Sequence, residues 1–316
     1  MPKVSVIIPV YGVEKYIERC ARSLFEQTLD DIEYIFVDDC TPDHSMEILK
    51  SIIGEYRLRF AEEKKVVRIE RMPTNSGLPA VRRHGIQLAT GDYIIHCDSD
   101  DWTDTDMYRA MYEQAVKDGA DVVVCDYYAA NQDMQTRNSG AYSISRNQII
   151  SDILTDKIAG SVWNKMFARS LYKETIMFPV GNMAEDVVLS VQLLLNSSIV
   201  SYIPKPLYYY FCNSESITQS HSIEKAKKNF FSAINNAKIV IDSIIERGYE
   251  ELFKKELEYF KYREKSFIMP YSNDDGIRKL WKSTFPEINF RLIISPYLSL
   301  KRKIKYFVFL TKTIVR

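Results

Sequence analysis

The sequence of 316 residues lacks several features on which large classes of proteins depend. It has no apolar run near 18 residues, so no membrane-spanning helix is predicted. Its five cysteines form no CxxC pair and its four histidines are scattered, which argues against a disulfide framework and a zinc site. The start shows no small-residue cleavage site of the kind that ends a signal peptide. We therefore expect a cytoplasmic protein with reduced thiols.

The chain also lacks a net charge, because 42 Lys and Arg residues balance 42 Asp and Glu residues, and no nucleic-acid partner is predicted. The charges are unevenly spread. Residues 1–221 hold 22 basic and 31 acidic side chains, a net charge of −9, whereas residues 222–316 hold 20 and 11, a net charge of +9. With the length, this asymmetry predicts an acidic domain over 1–220 and a basic, helical C-terminal region over 221–316.

Strand and helix patterns alternate over about the first 125 residues. Val4–Val10 is typical of a strand buried on both faces, and apolar residues at helical spacing follow from Ile17. Thr41 and Pro42 are expected to be the N-cap and the first residue of the second helix. This alternation predicts an α/β fold with a mostly parallel sheet and helices on both faces. Further strands are predicted at 33–37, 66–69, 93–97 and 122–125.

Acidic residues gather at the predicted carboxyl ends of these strands, where a parallel sheet binds its ligand. Asp38 and Asp39 follow the second strand, and Asp98 and Asp100 follow the fourth. Two carboxylates at i and i+2 can share one hard divalent cation, such as Mg or Mn. The same spacing in 104–106 is better explained by acids at a helix N-terminus. No segment reads GxGxxG, so a dinucleotide site is not predicted.

Motifs of a known family stand in order along the first 220 residues. They are VSVIIPVY (4–11), Glu14 and Tyr16, SLFEQT (23–28), VDD (37–39), NSG (75–77), Arg82, ATGDYI (89–94), DSDD (98–101), WNK (163–165), Glu185-Asp186 and YYYFCNSESIT (208–218). In order and spacing they resemble the family 2 inverting glycosyltransferases of the GT-A fold. The resemblance is strongest over 3–128 and nearly absent after 220. Cys40 and Arg83 depart from the residues that the family usually has there.

The resemblance implies a role for each matched position. Asp39 would accept a hydrogen bond from the uracil ring of a UDP-sugar, which a carboxylate can do and an alkyl group cannot. Asp100, with Asp98, would bind Mg or Mn. Asp186 would be the general base, with Glu185 as the second candidate. The implied donor-binding residues are Pro9, Val10, Tyr11, Glu14, Asp38, Asp39, Asn75, Gly77, Arg82, Asp98 and Ser99.

These roles imply a metal-dependent, inverting hexosyl- or N-acetylhexosaminyltransferase that acts on a hydroxyl of a surface glycan or lipid-linked oligosaccharide. The cation would offset the charge of the leaving diphosphate. A carboxylate base contributes typically ~10²–10⁴-fold by taking the proton of the acceptor hydroxyl. Two alternatives are a sugar-nucleotide nucleotidyltransferase and a nucleotide-sugar-binding protein without catalysis.

Structural explanations of the same residues stay open. Asp38 or Asp39 could cap a helix, Gly77 could serve only a turn with positive φ, and Arg82 could form a surface salt bridge. The Glu185-Asp186 pair could be the acidic first turn of an ordinary helix. Trp163 and Tyr208–Tyr210 could be wall aromatics or platforms on which a sugar stacks. His96 is expected to be structural, and Cys40 and Cys97 are expected to be packed thiols. His221 could contact the diphosphate or the sugar.

The tail over 288–316 is basic and apolar, with no acidic residue. Each basic side chain near an anionic bilayer contributes about 1 kcal/mol. The tail therefore predicts a peripheral contact with the inner face of the cytoplasmic membrane, and the alternative is a docked helix with a solvated basic face. A homo-oligomer is a further expectation. The basic residues are Arg291, Lys301, Arg302, Lys303, Lys305, Lys312 and Arg316.

Overall fold

The computed structural model describes residues 1–131, 134–212, 222–271 and 273–311, and it confirms the predicted α/β class. The strands in this part of the chain are β1 (Val4–Val10), β2 (Ile32–Asp38), β3 (Val66–Arg71), β4 (Tyr93–His96), β5 (Trp102–Thr103), β6 (Val122–Ala130), β7 (Gln135–Asn138), β8 (Lys165–Ala168) and β9 (Val200–Phe211). They form one sheet in the order β3-β2-β1-β4-β8-β6-β9-β5, with β7 beside β6.

Helices cover both faces of this sheet. They are α1 (Ile17–Phe25), α2 (Ser45–Glu62), α3 (Leu78–Leu88), α4 (Met107–Asp118), α5 (Arg146–Leu154), α6 (Glu185–Asn196), α7 (Ile223–Glu246), α8 (Lys254–Lys265), α9 (Asp275–Ser283) and α10 (Leu300–Thr311). Alternate residues of β1 face opposite layers. Val6 and Ile8 pack with α1, α2 and α4, whereas Ile7 packs with Val81 of α3.

The sheet changes character beyond β4. β1, β2, β3 and β4 pair in parallel, as predicted. β8 then runs antiparallel to both β4 and β6, so that β6 and β9 join the sheet through a strand of opposite direction. A strand of four residues carries too little alternation to be found by pattern. β7, which also has four residues, pairs antiparallel with β6.

Helix α2 begins later than its cap signal suggested. The expected N-cap Thr41 and first helical residue Pro42 both precede the helix, which begins at Ser45. The Thr41 hydroxyl instead donates to Asp43 Oδ1 at 2.7 Å and accepts from the backbone N–H of Gly12 at 2.8 Å. Thr41 therefore ties together the loops that follow β1 and β2.

The C-terminal helices continue the core of the sheet domain. Val240 and Ile244 of α7 pack with Leu193 of α6 in one cluster. A further cluster gathers Trp281 of α9 with Tyr306 of α10, so the last helix is docked on the fold. The predicted boundary at 220–221 lies outside the described residues, as do Lys312 and Arg316 of the basic tail. Within the described ranges, each helix is too short or too polar to cross a bilayer.

Candidate active site

The parallel strands bring the predicted acids to one edge of the sheet. Val10 at the end of β1 pairs with Asp38 at the end of β2, and β4 ends at His96, which pairs with Ile7. The loops that follow these strands therefore start side by side. Most of the predicted site residues lie at the ends of the parallel strands or in the loops that follow them, and α3 and α6 supply Arg82, Glu185 and Asp186.

Asp39 shapes the loop that follows β3. Its carboxylate oxygens accept hydrogen bonds from the backbone N–H groups of Ser76, at 2.7 Å, and Gly77, at 2.9 Å. Gly77 has a φ of +82°, which confirms the predicted turn with positive φ. A Cβ atom there would lie 3.3 Å from Asn182 Oδ1. The turn therefore presents Asn75, which is exposed, beside the buried Asp39.

The other predicted donor-binding residues surround this turn. The Asp38 carboxylate accepts from the backbone N–H of Thr41 at 2.8 Å, so it caps the loop rather than a helix. The Val10 side chain is fully buried in the core, whereas Tyr11 is largely exposed. Glu14 accepts from the backbone N–H of His44 at 3.1 Å. Pro9 and Ser99 are buried.

Arg82 of α3 connects the two acidic motifs. Its side chain is 1% exposed, so the interpretation as a surface salt-bridge residue is wrong. Its Nε donates to Glu185 Oε1 at 2.9 Å and its Nη2 to Asp98 Oδ1 at 2.9 Å. The same Nη2 lies 3.3 Å from Asp186 Oδ1. One guanidinium thus gathers the first acid of the DxD spacing and the Glu-Asp pair at the start of α6.

The two acids of the pair have different environments. Burial raises the pKa of Glu185 well above its ordinary value, despite Arg82, and the charge of Asp186 adds to the effect. The Glu185 side chain is 4% exposed, but that of Asp186 is 25% exposed. An incoming hydroxyl can therefore reach Asp186 and not Glu185. Burial and Arg82 together lower the pKa of His96, which stays neutral, in agreement with its expected structural role.

The loop over 98–101 is held in place from several sides. The Tyr208 hydroxyl donates to Asp101 Oδ2 at 2.6 Å and accepts from the backbone N–H of Asp98 at 3.1 Å. Arg19 donates to the backbone carbonyl of Asp100 at 2.9 Å. The residue patterns gave no role to Arg19, to the Tyr208 hydroxyl or to Asp101, the third acid of DSDD. These groups fix the loop and leave the Asp100 carboxylate clear of them.

Asp98 and Asp100 are the residues that could hold a cation. Burial, and then the charge of Asp98, raises the pKa of Asp100 to about 6, as expected for two buried carboxylates that lie close together. In the described ranges, no three His, Cys, Asp or Glu side chains lie close enough to bind a metal by themselves. Mg²⁺ commonly takes one or two carboxylates together with substrate phosphates, so this pair fits a cation shared with a diphosphate.

Aromatic side chains line the β9 side of the loop. Trp163 stacks on Tyr208 and both are buried, which confirms the interpretation of these two as wall aromatics. Tyr210 differs from Trp163 and Tyr208 because 38% of its surface is exposed. Buried Cys97 lies with its Sγ 4.0 Å from that of Cys20, as a packed thiol. His221 and the family segment beyond residue 212 lie outside the described residues.

The sequence is similar to a protein family and to several curated proteins. The family model "Glycosyl transferase family 2" matches residues 5–176. The putative glycosyltransferase EpsH of Bacillus subtilis is 33% identical over 277 residues, which cover 85% of this chain and 76% of EpsH. Other curated relatives are longer: the chain spans 32% of the glycosyltransferase GlyA of Streptococcus pneumoniae.

Solved structures share the fold at low identity. S. aureus TarS 1–349 in complex with UDP-GlcNAc has a TM-score of 0.62 at 18% identity, over 99% of this chain and 88% of that one. The mannosyltransferase PcManGT from Pyrobaculum calidifontis, in complex with GDP-Man and Mn²⁺, has a TM-score of 0.52 at 12% identity, over 99% and 87%. These similarities confirm the predicted fold class.

Proposed function

Since this chain belongs to glycosyl transferase family 2 and is a glycosyltransferase, we propose that it moves one sugar from a UDP-sugar to a hydroxyl of a surface glycan or lipid-linked oligosaccharide, with inversion. One observation carries the proposal. Arg82 Nη2 donates to Asp98, which lies at the edge of the sheet where the donor would bind, and the same atom lies 3.3 Å from Asp186 Oδ1. Asp186 is the more exposed acid of the Glu-Asp pair. A donor-binding group and a base are thereby brought to the same place.

The nucleoside would lie against the turn that Asp39 shapes. Each Asp39 oxygen keeps acceptor capacity beyond its bond to the turn, so the carboxylate can still accept from the uracil N–H. The exposed Tyr11 and Asn75 would form the walls, while Pro9 and Val10, which are both buried, can offer only their backbones. The UDP-GlcNAc bound by TarS, which has the same fold, supports a uridine donor.

The diphosphate would lie beside Asp98 and Asp100, which would hold Mg or Mn with it. The bound cation supplies charge neutralisation for the departing UDP. The Mn²⁺ and GDP-Man bound together by PcManGT support this role, as does the two-carboxylate donor set described above. Arg82, buried behind Asp98, keeps that carboxylate oriented.

Asp186 would accept the proton of the acceptor hydroxyl. Its side chain is 25% exposed, so an incoming hydroxyl can approach the carboxylate. Glu185, which is 4% exposed and accepts from Arg82 Nε, lies out of reach of the acceptor and serves to fix Arg82. One base opposite the leaving group supports direct displacement, and hence inversion at the anomeric carbon.

Two substitutions test these assignments. Asp186→Asn should lower the transfer rate by ~10²–10⁴-fold because the general base is lost. Its affinity for UDP should not change. Asp100→Asn should instead weaken the Mn²⁺-dependent binding of UDP. We would measure UDP release with a panel of UDP-sugars and acceptors, and UDP binding by calorimetry.

Asp106→Asn is the matched control. Asp106 belongs to the second DxD spacing and is exposed at the start of α4, so its loss should leave both readouts unchanged. Wild-type turnover in Asp186→Asn would contradict the role of the base. Release of pyrophosphate instead of UDP would indicate a nucleotidyltransferase, and metal-dependent UDP binding with no turnover on any acceptor would indicate a binding protein without catalysis.

The C-terminal helix carries a second part of the proposal, a contact with the inner face of an anionic membrane. Leu300 and Ile304 lie four residues apart, and thus on one face of α10, with 74% and 57% of their surface exposed. Exposed Lys301 and Arg302 lie beside them. Apolar and basic side chains on one exposed helix suit the boundary between lipid headgroups and acyl chains.

A further inference from the structure

We propose that Tyr210, supported by Trp163, is the surface on which the acceptor sugar stacks. The proposal rests on the proposed function and extends it to the acceptor, for which the donor-binding residues provide no site. Sugar-stacking and wall roles were both open for Tyr208–Tyr210 on sequence grounds. The structure separates them, because Tyr208 is fully buried and Tyr210 is not.

The position of Tyr210 on β9 places it beside the acidic loop. Residues two apart on a strand face the same side of the sheet, so Tyr210 shares its side with Tyr208, whose hydroxyl bonds Asp101. Burial, and then the charges of Asp101 and Asp100, raises the pKa of Tyr210 to about 12. The Tyr210 phenol thus lies on the side of the sheet where Tyr208 holds the loop over 98–101.

The same strand also places Tyr210 away from the nucleoside. The turn shaped by Asp39 lies at the ends of β2 and β3, whereas β9 lies on the opposite side of β4 in the sheet order. The loop over 98–101 follows β4 and therefore lies between them. A ligand group on Tyr210 approaches the reacting centre from the side opposite the uridine, which is where an acceptor must enter.

Other aromatic rings hold Tyr210 in a fixed orientation. The Trp163 ring lies nearly parallel to it, with centroids 5.7 Å apart and 12° between the planes. Trp163 stacks in turn on Tyr208 at 4.4 Å and meets the edge of Tyr127 at 4.8 Å. Offset stacking of this kind restrains a ring. Little side-chain entropy would be lost when a ligand binds to Tyr210.

The chemistry of this place suits a pyranose ring. One face of a hexose is made of C–H groups and packs on the flat face of an aromatic ring, while its hydroxyls point outward from the edge of the ring. At Tyr210 an exposed aromatic ring lies close to carboxylates that can accept from such hydroxyls. The exposed ring offers a flat apolar face, so a neutral sugar with a C–H face is the ligand class that fits.

Substitutions of Tyr210 test the proposal in the full chain. Tyr210→Ala should raise the acceptor KM about tenfold, the loss expected for one stacked ring, with the donor KM unchanged. Tyr210→Phe keeps the ring and should stay within about twofold of wild type. Tyr209→Ala is the matched control, because Tyr209 faces the other side of β9 and stacks on Trp102. It should leave the acceptor KM unchanged.

A binding measurement separates this proposal from the proposed function. Saturation-transfer NMR with methyl glycosides of glucose, galactose and N-acetylglucosamine, in the presence of UDP, reports sugar binding without turnover. Loss of the signal in Tyr210→Ala and its return in Tyr210→Phe would support the platform even if no UDP-sugar were turned over. An unchanged signal in Tyr210→Ala, an equal loss in Tyr209→Ala, or a raised donor KM in Tyr210→Ala would overturn it.

Discussion

At the scale of single residues, the positive charge of Arg82 holds the acids of the site together. Three carboxylates, those of Asp98, Glu185 and Asp186, lie within 3.3 Å of one buried guanidinium. A buried carboxylate without a counter-charge is costly, and burial, followed by the charges of Asp186 and Asp98, raises the pKa of Glu185 even beside Arg82. Arg82 is therefore as much a condition of folding as of substrate binding.

Replacing Arg82 should reveal this dual dependence. In Arg82→Gln the acids lose their counter-charge, and we expect the free energy of unfolding to fall by about 3–5 kcal/mol. Arg83→Gln is the control: Arg83 is the next residue of α3 but is exposed over the ring of Phe178, so its loss should cost about 1 kcal/mol or less. Urea denaturation measures both, and equal effects would contradict the assignment.

The residue patterns predicted some of these groups and not others. The acids Asp38, Asp39, Asp98 and Asp100 follow strand ends, a position that sequence can locate. The burial of Arg82 could not be predicted in the same way, because it depends on α6, whose Glu185 is 103 residues away along the chain. Contacts of that separation are set by packing and not by local pattern.

At the scale of elements, close packing of α3 on β1 carries Arg82 to its partners. Gly85 of α3 is buried against the side chain of Ile7, and a Cβ atom there would overlap it. The helix can approach the strand only because this residue has no side chain. The closeness of the contact thus depends on a glycine that a helix pattern treats as unfavourable.

Two glycine substitutions should therefore have opposite effects. Gly85→Ala forces α3 away from β1, and we expect a loss of about 1–3 kcal/mol in the free energy of unfolding. Gly54→Ala, in the exposed middle of α2 with no atom within 4 Å, should gain about 0.5–1 kcal/mol from helix propensity. Thermal or urea unfolding measures both. If Gly85→Ala were more stable than the wild type, the packing of α3 on β1 would be able to accommodate a side chain at this position.

At the scale of the whole molecule, the opposite net charges of the two chain segments have distinct consequences. Five acids of the front segment, Asp38, Asp39, Asp98, Asp100 and Asp186, lie at or after strand ends or begin α6 at the proposed donor site. The last helix, in contrast, is docked on the fold and carries exposed apolar and basic side chains. The sequence predicted the basic tail but left open whether it docks or binds lipid. Burial of Tyr306 and Leu310 in the core shows that it docks, and the exposed residues of the same helix stay available for lipid.

The lipid contact predicts a specific dependence on these residues. Wild-type protein should float with phosphatidylglycerol-containing vesicles and less so with neutral ones, and added salt should weaken the binding, because each basic side chain contributes about 1 kcal/mol. Leu300→Ser with Ile304→Ser should weaken binding about tenfold or more, since two apolar side chains no longer enter the interface. Leu58→Ser, at an equally exposed leucine of α2, is the matched control and should bind like wild type. Equal flotation of the double variant and the wild type would mean that α10 serves the fold alone.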